Sequence, residues 1–128
     1  MFLLDSSAWI EIFTKGPQAG SFFKAAQDHP DLIVPTVVLY EVVKWARRRE
    51  TASRLNEVTA LLSRANVIPL SERIAIEASG IAYSSKLAMA DSIILATARM
   101  TGSELWTQDA DFRDFPDVRY IPRSQENS

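Results

Sequence analysis

The chain has 128 residues, 47% of them hydrophobic, with 14 basic against 16 acidic side chains and no cysteine. That length and apolar content suit one domain around a single core, and the lack of thiols excludes disulfides, thiolate metal sites and cysteine catalysis. A formal net charge of −2 offers no global attraction to nucleic acid, so any such role must rest on local patches.

The first residues, Phe2-Leu3-Leu4, form a short apolar run that enters Asp5 and the pair Ser6-Ser7, after which Trp9, Ile12 and Phe13 recur at helical spacing. This pattern predicts a buried strand handing over to a helix. It sets Asp5 at the strand's carboxyl end, where open parallel sheets hold ligands. Lys15-Gly16-Pro17 breaks the helix, and Ala19, Phe22, Phe23 and Ala26 mark a second, amphipathic one that stops at His29-Pro30-Asp31. His29 is expected to serve only at the surface. Leu32 to Pro35 reads as the second strand, with Thr36 placed to cap a helix carrying Val37, Val38, Tyr40, Glu41, Val42, Val43, Lys44 and Trp45.

Helical spacing returns at Leu55, Val58, Leu61 and Leu62 and stops near Ala65-Asn66; Val67 to Leu70 predicts a third strand, kept short by Pro69. Ser71 suits the cap of a helix striped by Ile74, Ala78, Ile81 and Ala82. Leu87 to Ala90 leads into another with Asp91, Ile94, Leu95 and Ala98, ended by Gly102. Glu104 to Thr107 and Val118 to Ile121 are the fourth and fifth strands, and residues 124–128 form a polar tail. Alternation of strands and helices predicts a single α/β domain over residues 1–123. Its expected form is a three-layer α/β/α sandwich around a central, mostly parallel sheet of four to five strands. No apolar run is long enough to span a membrane, and the start lacks the features of a signal peptide. A cytoplasmic protein with no membrane partner is the expectation.

The acids sort by position. Asp5, Glu41, Asp91 and the pair Asp109 and Asp111 all lie just beyond strand ends or in the first turns of helices. Singly, each has an ordinary explanation: Asp5 as a helix cap, Asp91 as a first-turn acid favoured by the dipole, Asp109 and Asp111 as turn residues, Glu41 as partner of Lys44 or Lys24. Jointly they favour a divalent cation, because like charges held close repel and take up protons unless a cation neutralises them. Oxygen ligands with no cysteine and one histidine point to Mg²⁺, with Mn²⁺ as the alternative. Either ion suits phosphodiester hydrolysis.

The segments FLLDSSAWIEIF, VPTVVLYEVVK, MADSIILATA and LWTQDADF, in that order and spread over almost the whole chain, resemble the PIN-domain ribonucleases. They resemble more closely the VapC-type toxins of prokaryotic toxin–antitoxin pairs. The resemblance implies a metal-dependent endoribonuclease, commonly a homodimer, that cuts RNA with a metal-activated water and is neutralised by a small VapB-type antitoxin. It also implies that Asp5, Glu41, Asp91 and Asp109 are the catalytic and metal-binding acids. This chain departs from the pattern in having its next acid, Asp111, only two positions after Asp109. The fourth acid is therefore Asp109 or Asp111, and Asp109 matches the Thr-x-Asp pattern with Thr107. Ser6, Thr107, Lys44 and Arg47 are the expected substrate contacts, with Ser6 also placed to hold a water or orient Asp5, and Ser6 or Ser7 fitting equally as a helix cap. The Arg47-Arg48-Arg49 run suits RNA phosphates, a favourable helix C-terminus or an acidic antitoxin segment. Trp9, Tyr40 and Trp45 suit base stacking, core or dimer contacts. Two rivals stand beside this reading: a degenerate PIN scaffold that binds RNA or protein without cutting, and a receiver-like phosphoacceptor domain. The receiver reading needs a second acid after the first strand, an Asp after the third and a Lys after the fifth, none of which this sequence supplies.

Overall fold

A computed structural model describes residues 1–49 and 51–123; the expected tail over 124–128 lies outside the described residues. Strand β1 (Phe2–Leu4) leads into α1 (Ser6–Thr14) and α2 (Ala19–Asp28), then β2 (Leu32–Pro35) into α3 (Thr36–Arg49) and α4 (Ala52–Arg64). Strand β3 (Asn66–Ile68) precedes α5 (Glu72–Ser85) and α6 (Met89–Thr101), and β4 (Glu104–Thr107) reaches β5 (Val118–Tyr120) through a 3-10 turn at Ala110–Phe112.

The five strands form one sheet in the order β3-β2-β1-β4-β5, parallel throughout. Leu3 pairs with Ile33 on one side and Leu105 on the other, and Leu105 in turn with Val118. Phe2, Leu3, Leu4, Ile33, Val34 and Leu105 are all buried, as strands covered on both faces require, which is why they read as continuous apolar runs. From β1 the chain winds outward to β2 and β3, then returns across the sheet to β4 on the other flank. With the usual right-handed crossovers, the helices of the two directions cover opposite faces. The strand order therefore reverses between β1 and β4, and such a switch point leaves a crevice at the carboxyl ends.

Helix α6 is buried along Ser92 to Ala98, which explains its small and apolar run. Its hydroxyls are satisfied within the helix, Ser92 donating to the Met89 carbonyl at 2.8 Å and Thr97 to that of Ile93 at 2.7 Å. The element ends follow local chemistry. Pro69 follows the last residue of β3, Ser71 caps α5 by accepting from the Ile74 N–H at 3.2 Å, and Gly102 ends α6 at φ 66°.

Two expectations need correction. Thr36 does not cap α3 from outside: it is the first helical residue, and its hydroxyl accepts from the Leu70 N–H at 3.2 Å, tying the β3–α5 connection to the start of α3. His29 is half-buried and does structural work, stacking on Phe2 with ring centroids 4.2 Å apart while its Nδ1 lies 2.6 Å from the Ala25 carbonyl.

Helix α1 ends at Lys15, in the left-handed region at φ 56°, and the next residue packs on Glu11. A Cβ on Gly16 would stand 2.4 Å from the Glu11 carboxyl carbon. That carboxylate cannot swing aside freely, because it accepts from the Gln18 N–H at 2.8 Å and from Gln108 Nε2 at 3.2 Å. Gly16→Ala is expected to destabilise the fold by about 1–2 kcal/mol. Gly80, inside α5 with open space around it, gives the opposite sign, Gly80→Ala stabilising by about 0.5–1 kcal/mol. Thermal unfolding of both variants under one buffer condition checks the pair.

Candidate functional site

The register of β1 against β4 builds the site. Leu4 pairs with Trp106, so the residues that follow, Asp5 and Thr107, meet at the carboxyl end of the sheet. The Asp5 N–H donates to the Trp106 carbonyl at 3.3 Å. The Asp5 side chain is 3% exposed and receives three hydrogen bonds. Thr107 Oγ1 donates to Oδ2 at 2.6 Å, while Ser7 Oγ at 2.7 Å and the Ala8 N–H at 3.0 Å donate to Oδ1. The Ala8 bond makes Asp5 itself the N-cap of α1. Neither serine is the cap: Ser7 orients Asp5, and Ser6 donates from its hydroxyl to Glu41 Oε1 across to α3.

Thr107 serves two acids. Its oxygen also accepts the Asp109 N–H at 2.9 Å, and Asp109 Oδ1 accepts the Asp111 N–H at 2.9 Å. These bonds open the 3-10 turn that buried Phe112 anchors. Asp91 comes from the first turn of α6. Asp91, Asp109 and Asp111 each offer a carboxylate oxygen, and these oxygens lie within 4.8 Å of one another. Burial pushes the Asp91 carboxyl up to about 7, reinforced by repulsion from Asp109, Asp5, Glu41 and Asp111 in turn. Burial likewise pushes Asp5 up to about 6, against the pull of its hydrogen bonds from Thr107, Ser7 and Ala8, with Asp109 adding a smaller repulsion.

Asp91, Asp109 and Asp111 form the cluster, and Asp5 and Glu41 lie outside it but near enough to add to the repulsion on Asp91: where the sequence left Asp109 and Asp111 as alternatives, the structure brings both to Asp91. The donor set fits a hard divalent cation. It is made of carboxylate oxygens, and a six-coordinate ion with bonds of about 2.0–2.6 Å spans oxygen pairs over a similar range. Among the described basic residues, Lys44, Arg48 and Arg49 line a hollow with Ser6 and Glu41, whereas Arg47 lines a neighbouring one with Leu39, Val43 and Thr59, which Tyr40 and Lys44 also border. Trp9 is core at 4% exposed, Trp45 packs partly against the core, and Tyr40 stands open to solvent at 63%. Sequence reasoning missed Ser7 as the orienting hydroxyl of Asp5 and missed the Gln108–Glu11 brace behind the β4 end. The doubled serine was a signal for the first. Nothing in the spacing of Glu11 and Gln108 marked the second.

The sequence profile of the PIN domain matches residues 2–118, and the chain belongs to that family. No curated protein matches it significantly. Among solved structures it is similar to a toxin–antitoxin complex from Klebsiella pneumoniae at 27% identity, with TM-score 0.81 over 94% of this chain and 100% of that one. It also superposes on VapBC2 of Rickettsia felis bound to a DNA fragment from its promoter, at 14% identity and TM-score 0.77, covering 96% of this chain and 98% of the other. VapC20 of Mycobacterium tuberculosis, a toxin that cleaves the sarcin–ricin loop, aligns at 18% identity and TM-score 0.72 over 93% and 99% of the two chains. These last two likenesses speak to the fold. The receiver-like alternative fails on topology, since such domains order their strands 2-1-3-4-5 and this sheet runs β3-β2-β1-β4-β5. No described helix is long and apolar enough to cross a membrane.

The raised carboxyls fix a pH dependence. A carboxyl whose folded-state pKa lies above its ordinary value of 3.8 keeps a proton that the unfolded chain has released, so it costs stability as pH rises from about 4 to about 7. Asp91→Asn removes that cost. In EDTA at about pH 8 the variant should be more stable than wild type by about 2 kcal/mol, a figure discounted for the partial exposure of Asp91, and the gain should vanish near pH 4. Urea unfolding at both pH values checks it; a gain independent of pH would remove repulsion as its cause.

Proposed function

We propose that this chain is a divalent-metal-dependent endoribonuclease, the VapC-type toxin of a toxin–antitoxin pair, cutting RNA by hydrolysis. The observation that carries the reading is the gathering of Asp91, Asp109 and Asp111, with Asp5 and Glu41 close enough to repel Asp91, from the end of β1, helix α3, the start of α6 and the turn after β4. Such a concentration of carboxylates has little structural use and repels itself without a cation. The similarity to the Klebsiella toxin–antitoxin complex and the fold shared with a toxin that cleaves the sarcin–ricin loop support the same class.

In this reading Asp91, Asp109 and Asp111 hold Mg²⁺, or Mn²⁺, with Asp5 at the buried edge of the site. A divalent cation bound there supplies Lewis acidity toward the phosphate and lowers the pKa of a water. Asp5 is fixed by Thr107, Ser7 and Ala8, so its carboxylate keeps one orientation beside the acids that would hold the cation. Glu41 spends one oxygen on Ser6 and has the other to accept a proton from the attacking water. In-line attack of that water on phosphorus breaks the P–O3′ bond, and the leaving O3′ takes a proton from solvent, giving a 5′-phosphate and a 3′-hydroxyl. His29 takes no part, being engaged with Phe2 and Ala25.

A VapB-type antitoxin is the proposed regulator, and the working form is a homodimer in the cytoplasm. Ile76 and Tyr83, two turns apart on α5, and Met89 at the start of α6 are exposed and give a second copy an apolar strip to cover.

Incubation of the purified protein with total RNA tests the chemistry. Cleavage is expected with Mg²⁺ or Mn²⁺, none with EDTA, and a rate at least about 100-fold lower for Asp5→Asn and Asp91→Asn, the scale of losing several kcal/mol of charge stabilisation. Asp5→Asn should stay folded, because Asn caps helices as well as Asp does. Cutting that survives both EDTA and Asp5→Asn overturns the metal mechanism. Binding without cutting in either metal turns the reading to a degenerate scaffold.

A further inference from the structure

Two hollows adjoin the acid cluster, and their charges differ. The first, about 270 Å³, shares Ser6 and Glu41 with the site and is otherwise lined by Tyr40, Lys44, Arg48 and Arg49, backed by Trp45. The second, about 520 Å³, shares Asp111 with the site and is lined by the α5–α6 connection, with Lys86 as its cation against Asp111 and Asp114. The two have no lining residue in common. In the first, the one carboxylate already receives Ser6, and none of Lys44, Arg48 and Arg49 enters an ion pair among the described residues. Lys44 Nζ lies 5.7 Å from the centroid of the Tyr40 ring, which is otherwise open to solvent.

We propose that the grip on RNA is one-sided. A single-stranded segment on one side of the cut is held in the α3 hollow, its base on Tyr40 and its phosphates on Lys44, Arg48 and Arg49. The segment on the α5–α6 side contributes little. This rests on the nuclease reading above. Three cations with no ion pair among the described residues, beside an exposed ring, match the alternation of phosphate and base in an unpaired strand, where aromatic stacking and backbone charge supply most of the affinity. The hollow is on the scale of one nucleotide, and a paired base cannot reach a ring in that way. On the other side, with Asp111 given to the cation, the lining offers a strand one cation, Lys86, against the carboxylate of Asp114 and no exposed ring, so phosphates and bases gain little there. An acidic peptide segment could use the same cations but has no use for the Tyr40 ring.

The test is fluorescence anisotropy on the full chain in EDTA, with fluorescent single-stranded oligoribonucleotides shortened one nucleotide at a time from either end. A duplex of the same sequence and a glutamate decapeptide serve as further probes. Shortening from one end is expected to weaken binding by about tenfold for the nucleotide that loses Tyr40, and shortening from the other end by less than about twofold. Tyr40→Ala should abolish the sensitivity of the first end alone. Lys44→Ala should lower the salt slope of log K by about 0.7, the value for one phosphate contact on a single strand. Equal losses from both ends, no effect of Tyr40→Ala, tighter binding of the duplex, or no binding of single strands each overturns the proposal. So does loss of decapeptide affinity in these variants with RNA affinity unchanged, which would make the hollow a peptide dock. Cleavage by wild type in Mg²⁺ is scored separately. A protein that cuts yet binds symmetrically refutes the one-sided grip alone, and one that binds asymmetrically yet never cuts refutes the nuclease reading alone.

Discussion

Mutual repulsion among carboxylates at the end of the β1–β4 pair is the constraint around which the rest of this structure is arranged. Desolvation and four neighbouring acids drive Asp91 toward neutrality, and a fold that wanted only stability would not place them together. What holds them is a frame of ordinary interactions. Three hydrogen bonds fix Asp5, the Asp109 turn closes on its own backbone, and α6 is packed so completely from Ser92 to Ala98 that Asp91 cannot retreat by moving its helix. The core carries the electrostatic strain of the site.

The topology explains why these acids and no others meet. Chain order separates Asp5 from Thr107 by a hundred residues, yet the strand reversal makes β1 and β4 neighbours. The junctions after β1 and β4 then project Asp5 and Asp109 over the same crevice. Helices α3 and α6 pack against each other, bringing Glu41 and Asp91 in from the side. A strand order without that reversal would spread the same residues along a sheet edge.

Much of this was legible in the sequence. The β1 and β4 runs, the Gly102 end of α6 and the acid positions all follow from patterns of period, breaker and isolated charge, because the core demands continuous apolar strands and the site tolerates charge only at their ends. What escaped notice depends on tertiary contact. The Thr36 hydroxyl faces a loop more than thirty residues away, so its cap-like position misleads. His29 sits beside Phe2 only because α2 returns along β1, and a turn of Asp, His and Pro reads as surface. The choice between Asp109 and Asp111 looked exclusive on spacing alone. A 3-10 turn, tighter than an α-helix, lets residues two apart both address Asp91.

Asp5 shows how a structural and a chemical role coexist in one side chain. Its Oδ1 faces the helix, accepting from Ala8 and Ser7, and its Oδ2 faces Thr107. Capping requires only an acceptor at this place, which Asn or Ser would provide without buried charge. Burial at 3% exposure with a carboxyl raised to about 6 is a cost that capping alone does not justify. The hydroxyls of Ser7 and Thr107 reduce that cost by donating to the ionised form, and Thr107 passes the constraint on by accepting the Asp109 N–H. The charge is therefore kept, oriented and linked to the next acid, an arrangement that serves a cation and has no equivalent benefit for the helix.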